Sequence, residues 1–324
     1  MEKTPLLVLV GPTASGKTAV ALELADLIPL EIISADSMQI YRGMDIGTAK
    51  PGRAEREKVS HHLLDLRAPW QSFSVVEYQR LVTEIIPQVL ARGCLPTLVG
   101  GTGLYIQAVV DEYRFAPQKP DPRVRAKWQN VFQEVGKEGL HRILEMYDPQ
   151  AARQIHPHNV RRVIRALEVA PGSGNKIAQK GAGRYDLLMV GLELDRAYLY
   201  QRIDDRVDAM LANGWLGEVK RLRQLGVFAP AKPAMTAAQA LGYRELNWYL
   251  QGWLTWPEAV RLIKRNTRRF AKRQLTWFRR DPRIKWLRVG ENTSNRQLAL
   301  EIAAMIANKW KIKYNGVSRE EENG

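Results

Sequence analysis

The eight residues GPTASGKT, Gly11 to Thr18, constrain the fold of this chain more than any other feature. They match the phosphate-binding pattern G-x-x-x-x-G-K-[ST] at every fixed position. The apolar run LLVLV precedes them and an apolar-periodic segment follows, as in a strand, a loop and a helix. The glycines permit a tight turn, so that successive backbone N–H groups can face phosphate oxygens at a helix N-terminus. The sequence therefore predicts a phosphate-binding loop.

The loop residues have predicted roles, but these do not identify the phosphate compound. The predicted phosphate contacts are Gly11, Pro12, Thr13, Ala14, Ser15, Gly16, Lys17 and Thr18. Lys17 would place a positive charge on the terminal phosphate, and the Thr18 hydroxyl would hold Mg²⁺. A typical NTPase has a strand ending in an Asp that holds Mg²⁺, whereas the run LPTLVGG ends in glycines. A small-molecule kinase, another diphosphate-using transferase and an RNA-binding protein without transfer chemistry all stay open here.

Short apolar runs alternate with helix-like segments along most of the chain. Strands are predicted at 6–10, 30–36, 95–101 and 185–194, and helices at 17–28, 74–92, 197–226, 237–251 and 257–279. This alternation is typical of an α/β fold, here a P-loop NTPase-like parallel sheet flanked by helices. Ligands of such sheets bind beyond the carboxyl ends of the strands. We therefore expect Gly11–Thr18, Asp36 and Gly100–Thr102 to surround one crevice.

The stretch from 115 to 185 departs from this pattern. It starts with the Pro-rich FAPQKPDPRVR, continues as helices with short breaks, and ends in the Gly-rich GSGNKIAQKGAG. We expect an inserted helical domain at 115–185, within a catalytic core formed by 1–114 and 186–324. Its arginines, Arg161, Arg162 and Arg165, would suit the lid of a small-molecule kinase.

The charge of the chain points to a polyanionic partner. The formal net charge is +15 and the pI is near 9.9, which favours attraction to nucleic acid. Between Arg261 and Arg288 there are twelve Lys or Arg residues and one acid, Asp281. They recur every three to four residues, so a helix would present a cationic stripe to a phosphate backbone. The aromatic residues of this segment, Phe270 and Trp277 among them, are expected in the core rather than against bases.

Composition excludes several other classes of protein. A single cysteine, Cys94, excludes an internal disulfide framework and a Cys-based zinc site. No apolar run approaches the ~20 residues that span a bilayer, and the first residues are too short an apolar stretch for a signal peptide. A cytoplasmic monomer without a membrane partner is the expectation.

Seven segments, in their order along the chain, resemble those of the tRNA dimethylallyltransferases of bacterial type, also called tRNA isopentenyltransferases. They are GPTASGKT, ADSMQIYRGMDIGTAKP, HHLLD, GGTGLY, RRVIRALEV, QALGYRE and AKRQLTWFR. The resemblance implies transfer of a dimethylallyl group from dimethylallyl diphosphate to N6 of adenine 37, the base 3′-adjacent to the anticodon. The tRNAs would be those that read codons beginning with U, and diphosphate would leave. Two departures from the family pattern, HPHNV and PGSGNK, lie in the insertion.

The resemblance also implies roles for single residues. The loop would hold the diphosphate with Mg²⁺, Lys17 would assist catalysis, and Asp36 would be the general base on the N6 amine. The Thr102 hydroxyl would lie beside the reacting centre. The partner would be the tRNA anticodon stem-loop. Its predicted contacts are Asp36, Ser37, Met38, Gln39, Thr102, Arg125, Arg161, Arg162, Val163, Ile164, Arg165, Gln239, Ala240, Leu241, Gly242, Tyr243, Arg244, Lys272 and Arg273.

Two further arginines are candidates for the diphosphate site. Arg202 and Arg206 stand at i and i+4 of a predicted helix and would reach the same face. Arg206 is a predicted diphosphate contact. For Arg202, ion pairs with Asp204 and Asp205 are the alternative.

Overall fold

The computed structural model of the protein describes residues 3–115, 122–168, 178–179, 181, 183–229 and 236–312. The chain divides into two compact units. The first comprises residues 1–110 and 183–324, and the second comprises residues 111–182.

A six-stranded parallel sheet forms the centre of the first unit, with the strand order β3-β2-β4-β1-β7-β8. The strands of the chain are β1 (Thr4–Val10), β2 (Leu30–Ser34), β3 (His61–His62), β4 (Leu95–Gly100), β5 (Arg114–Phe115), β6 (Ala178–Gln179), β7 (Tyr185–Glu193) and β8 (Ile284–Arg288). Strands β2 and β4 are buried along their whole length, as expected for a parallel sheet covered by helices on both faces. The predicted P-loop NTPase-like α/β sheet is confirmed.

Helices follow most of these strands. They are α1 (Lys17–Ala25), α2 (Arg53–Lys58), α3 (Val75–Ala91), α4 (Gly103–Val110), α5 (Pro122–Tyr147), α6 (Pro149–Gln154), α7 (Val160–Glu168), α8 (Arg196–Ala212), α9 (Trp215–Gln224), α10 (Tyr243–Leu250), α11 (Trp256–Phe278) and α12 (Asn295–Trp310). A short 3-10 helix, Ala237–Gln239, precedes α10. No helix in the described part of the chain is long and apolar enough to cross a membrane.

Helix boundaries differ from the sequence prediction where glycine interrupts the chain. The predicted helix 197–226 is two helices, α8 and α9, because Gly214 has φ +93°, a left-handed conformation that ends a right-handed helix. The predicted helix 237–251 is likewise divided into the 3-10 helix and α10. Pro87 lies inside α3, which continues to Ala91, so the proline does not end it.

The elements of the first unit that were not predicted include the last two, β8 and α12. Strand β8, IKWLR, exposes Lys285 and Arg288 and buries Ile284 and Leu287. Because β8 contains Lys285 and Arg288, its sequence resembles the rest of the basic segment rather than a buried strand. Ser294 caps the N-terminus of helix α12, since its hydroxyl accepts the Gln297 N–H at 3.0 Å. The apolar face of α12 packs into the core beside α1.

The second unit is helical, with the short antiparallel pair β5–β6. Helix α5 is kinked at Gly136, where φ is +68°, and packs with α6 and α7 around Trp128, Leu140 and Val163. The unit runs from 111 to 182, whereas the insertion was predicted at 115–185. Most of the predicted Gly-rich link lies outside the described residues. Its role as a tRNA-binding domain stays a prediction.

Candidate active site

Three loops meet at the carboxyl edge of the sheet. Strands β2, β4 and β1 are neighbours, and Val10 of β1 pairs with Gly100 of β4, so these two strands end at the same level. The Thr102 N–H donates to the Ala35 carbonyl at 3.0 Å, and the Ser37 N–H donates to Thr102 Oγ1 at 3.1 Å. The loop after β4 is therefore bonded to the loop after β2. We call the space bounded by these loops and the loop after β1 the crevice.

The loop Gly11–Thr18, here called the cradle, turns sharply into α1. Gly16, the residue before the helix, has φ +93°, and Ala14 also has a positive φ, +65°. Lys17 Nζ donates to the Pro12 carbonyl at 2.7 Å and to Ser15 Oγ at 3.4 Å, so the ammonium group lies over the cradle. This is the arrangement that the sequence pattern predicts for an anion-binding loop.

One predicted phosphate donor of the cradle is engaged by protein. The Thr13 N–H donates to Oε1 of Gln274, a side chain of α11, at 2.8 Å. In this structure the Thr13 N–H is therefore not available to a phosphate oxygen. Sequence reasoning missed Gln274, since 261 residues separate it from Thr13 and no spacing rule connects them.

The electrostatics of the crevice couple Lys17 to Arg206 and Asp36. Desolvation, reinforced by the charge of Arg206 and opposed by that of Asp36, lowers the pKa of Lys17 to about 7. Desolvation also lowers the pKa of Arg206; Asp36 opposes this and Arg202 reinforces it. Arg206 makes no hydrogen bond or ion pair with any described residue. Two desolvated cations close to one carboxylate favour an anionic ligand.

Arg202 lies one helical turn before Arg206 and holds the cradle. Its Nε donates to the Ala14 carbonyl at 3.0 Å, and its NH1 group donates to the Tyr198 hydroxyl at 3.2 Å. Asp204 instead accepts from Arg268 at 2.8 Å. The alternative expectation, in which Arg202 pairs with Asp204 or Asp205, is therefore wrong.

One carboxylate oxygen of Asp36 accepts hydrogen bonds that close a turn, and the other oxygen accepts none from the described residues. Its Oδ1 accepts the Met38 N–H at 2.8 Å and the Gln39 N–H at 3.4 Å. No described residue donates a hydrogen bond to Oδ2. The carboxylate is half-buried, so its turn fixes its orientation while one oxygen stays available for proton transfer.

Two buried charged residues that sequence analysis did not single out hold the segment after Asp36. Glu218 of α9, 1% exposed, accepts the backbone N–H groups of Asp45–Gly47 at 2.8–3.2 Å and the Tyr243 hydroxyl at 2.6 Å. Lys50 donates to the Tyr41 carbonyl, Asp45 and Asp65 at 2.6–2.7 Å. The segment is anchored at both buried charges, because both Glu218 oxygens accept hydrogen bonds and Lys50 pairs with two carboxylates.

Comparison with known proteins identifies the family. The IPP transferase family model matches residues 39–281. The chain belongs to the IPP transferase family. It is 51% identical over 316 residues to a tRNA dimethylallyltransferase of Symbiobacterium thermophilum, covering 96% of this chain and 98% of that relative.

Solved structures of similar proteins agree with this family. The full-length tRNA isopentenylpyrophosphate transferase of Bacillus halodurans is 42% identical, with a TM-score of 0.71, over 95% of this chain and 99% of that chain. A eukaryotic dimethylallyltransferase described as acting on tRNA is 27% identical, with a TM-score of 0.79, over 94% of this chain and 79% of that chain. The structural likeness therefore extends across nearly the whole of this IPP transferase.

Helix α11 of this IPP transferase has an exposed cationic face. Arg265, Arg269 and Lys272, which we call the outer stripe, are exposed and form no ion pair with a described residue. Lys264 and Arg268 instead pair with Asp208 and Asp204 at 2.7 and 2.8 Å. The predicted stripe on a helix is present.

The side chains next to the outer stripe divide between surface and core. Arg273 is exposed and lies over the ring of Phe270, 5.8 Å from its centroid. Phe270 is 37% exposed, whereas Phe278 is buried and Trp277 is half-buried. The expectation that these aromatic residues lie in the core is confirmed for Phe278 and wrong for Phe270.

Two of the predicted tRNA contacts at 239–244 have side chains in the core. Ala240 and Tyr243 are buried, and the Tyr243 hydroxyl donates to Glu218. Arg244 donates to Glu245 at 2.6 Å and lies over the ring of Trp248. The side chains of Ala240 and Tyr243 therefore pack in the core of the protein, where they support the neighbouring loop.

In the second unit the predicted contacts also differ in exposure. Arg125 donates to Glu168 at 2.5 and 3.0 Å, and Arg165 donates to the same carboxylate at 3.0 Å. Val163 and Ile164 are buried. Arg161 and Arg162 are exposed, so these two are the arginines of α7 best placed to meet a partner in solution.

Proposed function

We propose that this protein transfers the dimethylallyl group of dimethylallyl diphosphate to a tRNA, the activity named for its relatives. The observation that carries the proposal is the pairing of an anion cradle with an oriented carboxylate. Lys17 and Arg206 lie close enough to Asp36 for its charge to oppose the lowering of both their pKa values. A leaving diphosphate and a general base can therefore work in one crevice.

The chemistry requires removal of a proton and stabilisation of a leaving group. The N6 lone pair of adenine attacks C1 of the dimethylallyl group, the C1–O bond breaks, and diphosphate leaves. An exocyclic adenine amine is a weak nucleophile, so a carboxylate that takes its proton as the C–N bond forms speeds the reaction. Asp36 accepts that proton at Oδ2. Backbone N–H groups of the cradle, Lys17 and Arg206 stabilise the charge that gathers on the diphosphate.

Thr102 supports this arrangement through its hydroxyl. Its Oγ1 accepts the Ser37 N–H, so the hydroxyl hydrogen remains free to donate toward the reacting centre. The same bond fixes the backbone beside Asp36.

Mg²⁺ fits the site as an ion carried by the diphosphate. No group of three or more His, Cys, Asp or Glu residues in the described part of the chain is arranged to hold a metal. Mg²⁺ commonly keeps several waters and binds substrate phosphates with few protein ligands. The Thr18 hydroxyl, at the second position of α1, would be such a ligand. When bound, the ion would neutralise charge on the leaving diphosphate.

The tRNA is held through its anticodon stem-loop in this proposal. The outer stripe, Lys272 included, together with Arg273 offers cations to the RNA backbone, and Arg161 and Arg162 of the second unit add to them. The target is N6 of adenine 37 in tRNAs reading codons that begin with U. The base must leave its stack to enter the crevice, as enzymes that modify bases generally require. We propose a monomer as the active species, because one chain supplies the cradle, the proposed base and the outer stripe.

A product assay tests the proposal. The protein is incubated with Mg²⁺, dimethylallyl diphosphate and unmodified tRNA, and the RNA is digested to nucleosides. We expect N6-isopentenyladenosine from this tRNA and none from the same tRNA carrying guanine in place of adenine 37.

Parallel reactions with ATP separate the alternatives. ADP formation without isopentenyladenosine would indicate a small-molecule kinase and contradict the proposal. Binding of tRNA with neither product would indicate an RNA-binding protein without transfer chemistry, and would contradict it equally.

A further inference from the structure

The inner face of α11 reaches the floor of the crevice through one side chain. Gln274 is 7% exposed, although the two residues before it, Lys272 and Arg273, face solvent. Its Oε1 accepts the Thr13 N–H of the cradle at 2.8 Å, and its Nε2 donates to the Gly101 carbonyl at 3.0 Å. The amide therefore joins the loop after β1 to the loop after β4.

Each of these two loops carries a different part of the proposed reaction. The cradle holds the diphosphate. Gly101 precedes Thr102, whose Oγ1 accepts the Ser37 N–H, and Ser37 follows Asp36. Hydrogen bonds thus connect the cradle, through Gln274, to the loop that carries the general base.

The amide is chemically suited to this position and is closely fitted to it. Glutamine offers an acceptor and a donor on one planar group, which neither Glu nor Met does. Both ends are satisfied here, as buried polar groups require. A Cβ on Gly101 would lie 2.1 Å from Gln274 Nε2, so residue 101 must be glycine for the amide to reach its carbonyl.

We infer that Gln274 is a positioning residue that sets the separation between the diphosphate cradle and the Asp36–Thr102 side of the crevice. This inference rests on the proposed function, which assigns diphosphate binding to the cradle and proton removal to Asp36. Gln274 does not contact the reacting atoms; it acts through Thr13 and Gly101. Reacting atoms must approach to roughly 3–3.5 Å, and a misplacement of about 1 Å costs roughly 100-fold in rate.

Two substitutions disturb the amide from opposite sides. Gln274→Met keeps the volume and removes both hydrogen bonds, whereas Gly101→Ala keeps the amide and pushes it away from the carbonyl. For both we expect kcat to fall about 10- to 100-fold. The Kd for tRNA should stay within twofold of the wild-type value, because the outer stripe is untouched.

A third substitution separates the two hydrogen bonds. Gln274→Glu keeps an acceptor for the Thr13 N–H, loses the donor to Gly101 and places a negative charge beside the diphosphate. We expect the KM for dimethylallyl diphosphate to rise more in this variant than in Gln274→Met. The control is Gln297→Met on α12, an exposed glutamine whose change should leave kcat and KM at wild-type values.

The measurements are kcat and KM with tRNA in excess, the Kd for tRNA, and the thermal midpoint of each variant, with assays run well below it. The inference is overturned if Gln274→Met and Gly101→Ala keep kcat within twofold, or if their loss follows a matching loss of tRNA affinity. Should Gln274→Met fail to fold, Gly101→Ala and Gln274→Glu decide the matter by the same criteria.

Failure of the proposed function is distinguishable from failure of this inference. If the wild-type protein forms no isopentenyladenosine, the proposed function is contradicted but the inference about Gln274 is not. In that event the binding of Mg²⁺-diphosphate, measured by calorimetry without tRNA, tests Gln274. We expect at least threefold weaker binding in Gln274→Met, and equal affinities would overturn the inference.

Discussion

The crevice and the outer stripe of α11 use positive charge in opposite ways. In the crevice two cations, Lys17 and Arg206, are desolvated beside one carboxylate, and desolvation lowers the pKa of each. The outer stripe presents three exposed cations that pair with no described residue. Charges in a desolvated pocket can stabilise a developing charge strongly, whereas solvated charges contribute long-range attraction that salt screens. The contrast indicates that the crevice supplies the chemistry and the stripe supplies affinity for RNA.

The largest expected effect comes from removing the proposed base. Asp36→Asn keeps an Oδ1 acceptor for the Met38 N–H but cannot take the N6 proton. We expect kcat to fall about 1,000-fold, within the range for general-base catalysis, while the Kd for tRNA changes by no more than threefold. Asp205→Asn, an exposed carboxylate on α8, is the control. Full turnover in Asp36→Asn would mean that another group removes the proton.

Arg206→Gln tests whether the cations of the crevice act on the diphosphate rather than on tRNA binding. Removing a donor that stabilises the leaving group should lower kcat/KM for dimethylallyl diphosphate about 100-fold. Steady-state kinetics at fixed tRNA concentration measure this effect. Arg196→Gln removes an exposed arginine from the same helix and should have little effect. If Arg206→Gln weakened tRNA binding instead, the division between the two regions would be wrong.

Neutralising the outer stripe should weaken tRNA binding without slowing the chemistry. With Arg265, Arg269 and Lys272 all changed to Gln, we expect roughly 10- to 100-fold lower affinity at low salt. The slope of log K against log salt should become shallower by about 2 to 3, since each phosphate contact contributes nearly one. Single-turnover rates at saturating tRNA should be unchanged.

A matched triple variant controls for net charge. Lys220, Arg221 and Arg223 are exposed on α9, and changing all three to Gln removes the same charge from another surface. An equal change of salt slope in both triple variants would show that net charge, and not the stripe, determines the affinity.

The smallest expected effect, counted per pH unit, is the pH dependence of donor binding. Lys17 has a pKa of about 7 in the free protein, and a bound diphosphate favours its charged form and raises that pKa. Above pH 7 the free side chain has lost its proton and must regain it on binding. Affinity for dimethylallyl diphosphate should therefore fall as pH rises above 7, by up to about tenfold per pH unit.

Calorimetry between pH 6 and pH 9, without tRNA, measures this dependence. Lys17→Arg keeps its charge over the whole range and should show a flatter profile. Identical profiles for the two proteins would assign the dependence to the ligand rather than to Lys17.

The cradle is predictable from a local sequence pattern, whereas the distant side chains that hold the loops of the site are not. The spacing of Gly11, Gly16 and Lys17 indicates phosphate binding because those residues form one continuous turn. The carboxyl-edge rule for parallel sheets then places Asp36 and Thr102 nearby, as the structure has them. Gln274 and Glu218 could not be found this way. Each lies on a helix more than 170 residues from its partner loop, and only the folded chain brings them together.

The solvent exposure of the predicted tRNA contacts could not be predicted from the sequence either. The segment QALGYRE predicts a functional surface by its resemblance, yet Tyr243 is buried against Glu218. Arg125 and Arg165 look like free cations in the sequence, but a single carboxylate, Glu168, accepts hydrogen bonds from both. Which arginine stays free depends on the neighbours that tertiary packing supplies.

The central claim is that the cradle holds a departing diphosphate, and the most direct test of it quantifies the diphosphate released per modified nucleoside. Dimethylallyl diphosphate labelled in its diphosphate is mixed with the protein, Mg²⁺ and unmodified tRNA in the absence of ATP. Diphosphate and N6-isopentenyladenosine are then quantified at each time point. If the cradle holds a departing diphosphate, the two products appear at a ratio of one to one without ATP. A requirement for ATP, or diphosphate release without the modified nucleoside, would contradict the account.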